Sequence, residues 1–216
     1  MIQLEKVSKS FDNGLVKALD EVSLTVKEGS IISLMGPSGC GKTTLLNIIG
    51  ALESPEQGRV MIQNQSLDSY RPFHYYRTCM VGFVFQFHHL IPCLTLLENV
   101  ELPMYSKKIS KNERRKRACE LLQTVDLGHR INFIPAKVSG GERQRTAIAR
   151  SLVNNPRIIL ADEPTGSIDS ENGRIIMDYM IKLCQKHKTT FLMATHNKEI
   201  AARSDRIIFM KDGRLE

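Results

Sequence analysis

The fold is decided by one stretch, Gly36-Pro37-Ser38-Gly39-Cys40-Gly41-Lys42-Thr43. It fits the pattern of a glycine, four residues and then Gly-Lys-Ser/Thr, which is the Walker A motif. The apolar run at 30–35 predicts a buried strand before it, and residues 44–50 predict a helix after it. Because strand, glycine loop and helix are the setting that the motif requires, the stretch predicts a nucleotide-binding loop.

The residue types of this loop suit a triphosphate. Its glycines allow the backbone to curl with the N–H groups pointing inward, and the helix N-terminus adds partial positive charge. We expect residues 36–43 and Thr44 to bind the phosphates, with Lys42 on the β- and γ-phosphates and the Thr43 hydroxyl on Mg²⁺. Cys40 either lies among these amides as a thiolate or simply replaces a serine.

The remaining composition is that of a globular protein. The 216 residues suffice for one domain, with or without an insertion. No apolar run approaches the ~20 residues of a membrane span, and the N-terminus lacks a signal-peptide core. The five cysteines have neither disulfide nor metal spacing, so we expect reduced thiols in a cytosolic protein.

The net charge of +7 is concentrated in one segment. Residues 107–117 contain seven Lys or Arg residues and a single acid, Glu113. Such a run contacts nucleic acid, an anionic lipid leaflet or only solvent, and the solvated helix face is the commonest of the three.

Strand and helix patterns alternate along most of the chain. Strands are predicted at 1–7, 21–27, 30–35, 59–63, 81–86, 157–163, 190–196 and 206–210. Between residues 87 and 155 the periodicity becomes helical, which predicts an all-helical insertion. The alternation elsewhere predicts an α/β fold with a mostly parallel sheet.

Polar residues follow several of these strands, where ligands of parallel sheets bind. Asp162 ends an apolar run and suits the Mg²⁺ shell, and Glu163 can polarise a water for attack on the γ-phosphate. Gln86 and His196 end two other strands. The alternatives are a strand that ends in exposed acids and a structural histidine.

A second glycine-containing segment, Ser139-Gly140-Gly141, precedes another helical pattern. Ser139 is a good N-cap, and the glycines expose amides to an anion. An ordinary capped helix is the alternative.

Taken together, these segments resemble the ATP-binding-cassette (ABC) ATPases, and the resemblance covers essentially the whole chain. The segments that occur in the order of that family are the Walker loop, Gln86, Ser139-Gly140-Gly141, Asp162-Glu163, Ser167-Ile168-Asp169 and His196. Residues 81–104 and 161–169 are similar to the branch of lipoprotein-releasing, macrolide-exporting and cell-division ATPase subunits.

The resemblance implies an α/β P-loop NTPase fold with an N-terminal antiparallel β subdomain. It divides the single domain into a nucleotide-binding core (residues 1–86 and 156–216) and an inserted helical signature subdomain (residues 87–155). It also implies that Phe11 stacks on adenine, that Gln86 reaches Mg²⁺ and the attacking water, and that His196 contacts the γ-phosphate and holds Glu163. The alternative is that Phe11 only packs in the hydrophobic core.

The resemblance further implies a homodimer that encloses two ATP molecules. Ser139, Gly140 and Gly141 of one chain would contact ATP on the other, and Asp169 would cross the interface. Two positions besides Phe11, where the branch usually has Tyr, depart from the family pattern: Glu142 replaces a usual Gln and Ser167 a usual Asn.

The function that follows is an ATP- and Mg²⁺-dependent ATPase subunit of an ABC transporter. It would lie peripherally on the cytoplasmic face of the inner (plasma) membrane and drive a separate integral membrane permease that exports or extracts a lipoprotein, peptide or drug-like substrate. The apolar stretch 87–94 either forms a groove for a permease helix or packs the insertion onto the core.

The alternative function is a nucleic-acid-associated or cell-division ABC ATPase. Nucleic-acid-associated members usually carry two cassettes or a long coiled coil, and this chain has neither. We therefore do not expect nucleic acid as a partner. A nucleotide kinase or GTPase would leave residues 139–144 unexplained.

Overall fold

Two β-sheets form the frame of the protein in a computed structural model, which describes residues 1–166, 168 and 170–216. The first sheet consists of β1 (Ile2–Phe11), β2 (Val16–Val26), β4 (Gln57–Ile62) and β5 (Gln65–Ser66). Its strands are antiparallel in the order β2-β1-β4-β5. This is the predicted antiparallel sheet at the N-terminus.

The second sheet crosses the centre of the molecule. It consists of β3 (Ile31–Met35), β6 (Val81–Phe85), β7 (Ile158–Asp162), β8 (Thr190–Ala194), β9 (Arg206–Lys211) and β10 (Arg214–Leu215). The order is β10-β9-β3-β8-β7-β6, and every neighbouring pair is parallel except β9 and β10. The mostly parallel sheet predicted from the alternating pattern is confirmed.

The α-helices of the described residues are α1 (Lys42–Ile49), α2 (His74–Cys79), α3 (Leu96–Glu101), α4 (Lys111–Thr124), α5 (Gly140–Leu152), α6 (Ser170–His187) and α7 (Lys198–Ala201). Short 3₁₀ turns lie at Asp12–Gly14, Leu67–Tyr70, Leu102–Met104, Gly128–Arg130 and Pro135–Lys137. In this described part of the chain, a helix with the length and apolarity for a membrane span is not found.

Local sequence explains where the helices of the segment between β6 and β7 begin. Thr95 caps α3 and Ser110 caps α4, each side chain accepting a hydrogen bond from the backbone N–H of the third helical residue. The loop before α3 is organised by Asn99, which is fully buried. Its side-chain amide donates to the carbonyls of Ile91, Leu94 and Thr95. One side-chain amide, that of Asn99, therefore fixes the backbone of the apolar stretch 87–94 at Ile91 and Leu94.

Three hydrophobic clusters hold the layers together. In the first, Leu45 and Ile48 of α1 pack between the antiparallel sheet and one face of the parallel sheet. In the second, α6 covers the opposite face through Ile176 and Met180. The third lies between α3, α4 and α5, with Leu122 among its fully buried members. The segment between β6 and β7 thus has an apolar centre of its own.

Strands β1 and β2 are longer than the sequence predicts, and β10 is not predicted from it. Strand β1 continues to Phe11 rather than ending at residue 7. Strand β2 begins at Val16 rather than at residue 21, because Val16 pairs with Phe11 across the hairpin although its side chain is half exposed. The short strand β10 follows β9. Its Arg214 side chain binds the Asp20 carboxylate of β2, with Nε at 2.7 Å and Nη2 at 2.6 Å from Asp20 Oδ2. These residues belong to strands because their backbones pair with a neighbouring strand. They carry no alternating apolar pattern, so the sequence alone does not reveal them.

A hydrogen bond between α2 and α1 provides a test of this packing. Tyr76 is fully buried, and its hydroxyl donates to the carbonyl of Ile49 over 2.8 Å. Tyr76→Phe keeps the ring but leaves that carbonyl without its donor, so we expect the free energy of unfolding to fall by about 1–3 kcal/mol in urea titrations. The control is Tyr75→Phe, since Tyr75 is 66% exposed. Equal effects of the two substitutions would contradict the assignment.

Candidate active site

The phosphate loop lies between the two sheets in close contact with backbone on both sides. A Cβ atom on Gly36 would lie 2.0 Å from the carbonyl oxygen of Met210 in β9, and one on Gly41 would lie 2.2 Å from that of Ala18 in β2. Both distances are shorter than non-bonded atoms permit, and Gly41 also has a φ of +104°. Only glycine fits at these two positions, so the loop is fixed against β2 and β9.

Lys42 lies inside the curl of this loop and is only 8% exposed. Its Nζ donates to the carbonyls of Gly36 and Pro37, both over 2.8 Å, and lies 3.6 Å from the Cys40 sulfur. The Cys40 thiol is therefore buried next to this ammonium group. The ammonium group is therefore held where α1 begins, at the positive end of the helix dipole.

The hydroxyl of Thr43 and the carboxylate of Asp162 meet at the carboxyl edge of the parallel sheet. Thr43 Oγ1 donates to Asp162 Oδ2 over 2.8 Å. Two hard oxygen ligands beside a phosphate loop fit Mg²⁺, which takes the rest of its shell from phosphate and water. Among the described residues, no group of three or more His, Cys, Asp or Glu could hold a metal ion.

Glu163 follows directly and adopts a left-handed backbone conformation, with a φ of 45°. Its N–H donates to the carbonyl of Ala194 at the end of β8, which holds this strained turn in place. The Glu163 carboxylate then lies 3.0 Å from Nδ1 of His196. Its side chain is 19% exposed and that of His196 is 74% exposed, so the pair faces an open space at the edge of the sheet.

Gln86 lies beside this pair. A Cβ atom on Gly166 would be 3.0 Å from the Gln86 side-chain nitrogen and 3.3 Å from the Cβ of Glu163. The sheet order explains the meeting, because β3, β8, β7 and β6 are consecutive neighbours. Their carboxyl ends carry, in turn, the phosphate loop, His196, the two acids and Gln86. The structure brings these predicted residues together at one edge.

Phe11 reaches the same region through the hairpin between β1 and β2. It pairs with Val16, two residues before the Ala18 carbonyl that touches Gly41. The ring is 38% exposed, and Lys9 Nζ lies 5.3 Å from its centroid. The exposed face leaves room for a planar ligand.

Ser139, Gly140 and Gly141 begin α5 with a reciprocal pair of hydrogen bonds. Ser139 Oγ accepts from the Glu142 N–H over 3.2 Å, and the Glu142 carboxylate accepts from the Ser139 N–H over 2.8 Å. In the part of the chain that the structure describes, no hydrogen bond or ion pair joins residues 139–141 to the phosphate loop.

The acid at position 142 is turned back onto the helix cap and onto Arg130, whose Nε lies 2.9 Å from the carboxylate. Burial by itself raises the pKa of Glu142, but the hydrogen bonds from Ser139 and the Arg130 charge outweigh it and lower the pKa. The charge that departs from the family pattern is thus already compensated within the chain.

Sequence reasoning missed two residues that connect α5 to this edge. Gln144 is fully buried, and its amide donates to the carbonyl of Pro164 over 2.7 Å and to that of Phe85 over 3.4 Å. Arg150 donates to the carbonyls of His88 and His89. A polar residue on the apolar face of a helix was the available signal, since Gln144 lies three and four positions before Ala147 and Ile148. Two other positions that the sequence singled out, Ser167 and Asp169, lie outside the described residues.

A family model and two similar proteins all point to the same family. The family model described as "ABC transporter" matches residues 19–166. The ABC transporter ATP-binding protein MJ0796 of Methanocaldococcus jannaschii is 48% identical over 225 residues, covering 100% of this chain and 95% of that protein. The lipoprotein-releasing system ATP-binding protein LolD of Rickettsia typhi is 42% identical, covering 98% of this chain and 96% of its own length.

A solved structure extends this likeness to three dimensions. It is the dimeric structure of a post-hydrolysis state of the ATP-binding cassette MJ0796 bound to ADP and Pi. It superposes with a TM-score of 0.92 at 45% identity, covering 100% of this chain and 97% of that one.

The cap at α5 predicts a pH-dependent stability. Because the pKa of Glu142 is lowered in the folded protein, its carboxylate stabilises the fold above the unfolded-state pKa, and this contribution is lost as the pH falls through the folded-state value. We expect Glu142→Gln to cost about 0.5–1 kcal/mol near neutral pH in urea unfolding, and the cost to disappear as the pH falls and the carboxylate becomes protonated in the folded protein. Glu120→Gln, at an exposed site on α4, should show no such trend. A Glu142 difference that is independent of pH would contradict the argument.

Proposed function

The chain belongs to the ABC transporter family, and from this premise we propose that it is the ATP-hydrolysing subunit that drives a separate membrane subunit. The observation that carries the proposal is the meeting of two pairs, Thr43 with Asp162 and Glu163 with His196, at the mouth of one phosphate loop. Together they supply a cation site, a base and a phosphate cradle within one edge of the sheet.

In this proposal residues 36–44 bind the ATP phosphates and Phe11 stacks on the adenine. Lys42 exchanges the loop carbonyls that it now contacts for oxygens of the β- and γ-phosphates. Thr43, Asp162 and Gln86 would hold Mg²⁺, which supplies charge neutralisation on the β- and γ-phosphate oxygens.

Glu163 would act as the general base. Its carboxylate accepts a proton as the water oxygen bonds to the γ-phosphorus, and the bond from that phosphorus to the β–γ bridging oxygen breaks. The products are ADP and inorganic phosphate. His196 fixes the Glu163 carboxylate through the 3.0 Å contact and faces the γ-phosphate with its other nitrogen. The Glu163–His196 pair is open to solvent, as expected of a site that the surface of a second chain completes.

A second copy of the chain would provide that surface. Ser139, Gly140 and Gly141 make no bond to the phosphate loop of their own chain among the described residues, and they present amides at the start of α5. In a head-to-tail homodimer these amides would bind the γ-phosphate held by the partner, so that two ATP molecules are enclosed. Asp169, outside the described residues, is proposed to cross the same interface.

The membrane partner would dock at a cavity of about 330 Å³ beside β6, lined by Arg77, Phe83, Phe85, His89, Pro103 and Arg150, among others. His89 of the stretch 87–94 lines it, and Phe87, two residues earlier, is 72% exposed rather than packed onto the core. A preformed cavity lined by aromatic side chains is typical of a site for an amphipathic helix. A cytoplasmic helix of a permease fits this description, and such docking would hold the protein at the cytoplasmic face of the membrane.

The cargo is the finer part of the proposal. Similarity to LolD of Rickettsia typhi supports a lipoprotein as the exported or extracted substrate, with a peptide or a drug-like molecule as the alternatives. The nucleic-acid-associated and cell-division alternatives have no specific contact in their favour.

Replacing the proposed base tests the mechanism and the dimer together. We expect Glu163→Gln to bind ATP as the parent does but to hydrolyse it at least ~100-fold more slowly, because proton transfer is lost. Size-exclusion chromatography with ATP should then show a stable dimer. Turnover at the parent rate would refute the base assignment, and a monomer at saturating ATP would refute the shared pocket.

Replacing the loop lysine tests the phosphate cradle separately. Lys42→Ala removes charge-assisted hydrogen bonds to the phosphates, so we expect ATP affinity to fall by roughly 100-fold in calorimetric titration. Lys182→Ala, at an exposed position of α6, should leave the affinity unchanged. Retention of parent affinity by the Lys42 variant, with native circular dichroism, would contradict the assignment of the loop.

A further inference from the structure

The basic run does not enter the function proposed above, and the structure shows where it lies. Lys108, Lys111 and Arg115 are exposed just before α4 and in its first turns. Leu102 and Tyr105 are exposed in the segment that precedes them, and Arg114 of α4 lies against the Tyr105 ring. We name Leu102, Tyr105, Lys108, Lys111 and Arg115 the basic face. We propose that the basic face binds the anionic headgroups of phospholipids in the membrane that holds the permease.

The position of the basic face supports this inference. Pro103, the neighbour of Leu102 in the chain, lines the 330 Å³ cavity together with Asn154. Asn154 donates to the Pro103 carbonyl over 3.0 Å, and Lys107 donates to the Asn154 carbonyl over 3.4 Å. The basic face therefore begins at the edge of the site proposed for the permease helix. The inference rests on that proposed function, because a docked permease would turn this edge toward the membrane.

The cations of the basic face are available for an external partner. Arg117 is taken up by Glu113 at 2.6 Å, and Arg114 is occupied with the Ile109 carbonyl. In the described part of the chain, by contrast, Lys108, Lys111 and Arg115 form no ion pair. Each Lys or Arg held near an anionic leaflet strengthens membrane binding about fivefold.

The two apolar side chains of the basic face, Leu102 and Tyr105, favour a lipid leaflet over a nucleic acid as the partner. Tyr105 is 58% exposed and Leu102 is 39% exposed. The Arg114 guanidinium stacks 4.4 Å from the centroid of the Tyr105 ring, which holds the ring in place. Amphipathic aromatic rings flanked by cations are typical of residues that lie at the headgroup level of a bilayer. A phosphate backbone would use the cations but would leave Leu102 in water.

The first test measures binding to vesicles without nucleotide. The probes are vesicles of phosphatidylcholine alone and with roughly a third phosphatidylglycerol. We expect flotation of the parent only with the anionic vesicles, and a loss of affinity of about 30- to 100-fold for the variant Lys108→Gln/Lys111→Gln/Arg115→Gln. The matched control, Lys182→Gln/Lys186→Gln/Lys188→Gln, removes the same charge from exposed positions at the end of α6. It should lose at most about fivefold through net charge alone.

The second test locates the contact. The chain contains no tryptophan, so Tyr105→Trp introduces the single indole of the protein. We expect its emission to shift to shorter wavelength with anionic vesicles and to be quenched by brominated lipid. Phe209→Trp, at a 51% exposed position on β9, should show neither effect.

Four outcomes would overturn the inference. In the flotation assay they are equal binding to neutral and anionic vesicles, equal losses of affinity in the two triple variants, and tight binding of an RNA or DNA oligomer without vesicle binding. In the fluorescence assay it is an unchanged indole emission from the Tyr105→Trp variant when that protein floats. The ATPase activity of the basic-face variant without vesicles should equal that of the parent. Because flotation requires neither hydrolysis nor dimerisation, failure of the Glu163 and Lys42 experiments would refute the proposed function without changing the flotation result.

Discussion

The backbone contacts of Gly36 with Met210 and of Gly41 with Ala18 are the constraint on which the rest of the structure depends. They press the phosphate loop between one strand of each sheet, so that the two sheets share the loop as a common element. A side chain at either glycine would force the sheets apart. The position of Lys42, the start of α1 and the position of the loop relative to Phe11 are all set by this contact.

The sheet order then determines which chemistry surrounds the loop. Since β8, β7 and β6 follow β3 in space, residues far apart in sequence end at one edge. Short bonds refine the arrangement: Thr43 to Asp162, Glu163 to His196, and the Ala194 carbonyl to the strained backbone of Glu163. The polar groups are thus placed by strands that are almost entirely apolar, which gives them rigid support.

Much of this arrangement follows from local sequence, and the remainder does not. The phosphate loop, the strands ending at Asp162 and His196 and the helical character of residues 87–155 are local patterns, and each can be predicted by length and periodicity. The burial of the Cys40 thiol, the pairing of Glu142 with Arg130 and the amide bonds of Asn99 depend on tertiary neighbours. Gln144 could have been flagged as a polar residue on an apolar helix face, but its partner carbonyls are 20 and 59 residues away. Only the folded chain identifies them.

The first turns of α5 lead to a property of the assembly. Gln144 is the fifth of the 13 residues of this helix and lies about 6 Å along the axis from the first. Through Gln144 the helix is bonded to the turn that follows Glu163 of its own chain, while its first residues are proposed to meet the nucleotide of the other copy. A single helical turn cannot adjust these two attachments independently. In the proposed dimer, occupancy of one pocket would therefore alter the other, and turnover would depend cooperatively on ATP concentration, in the manner of coupled oxygen-binding subunits rather than of two separate enzymes.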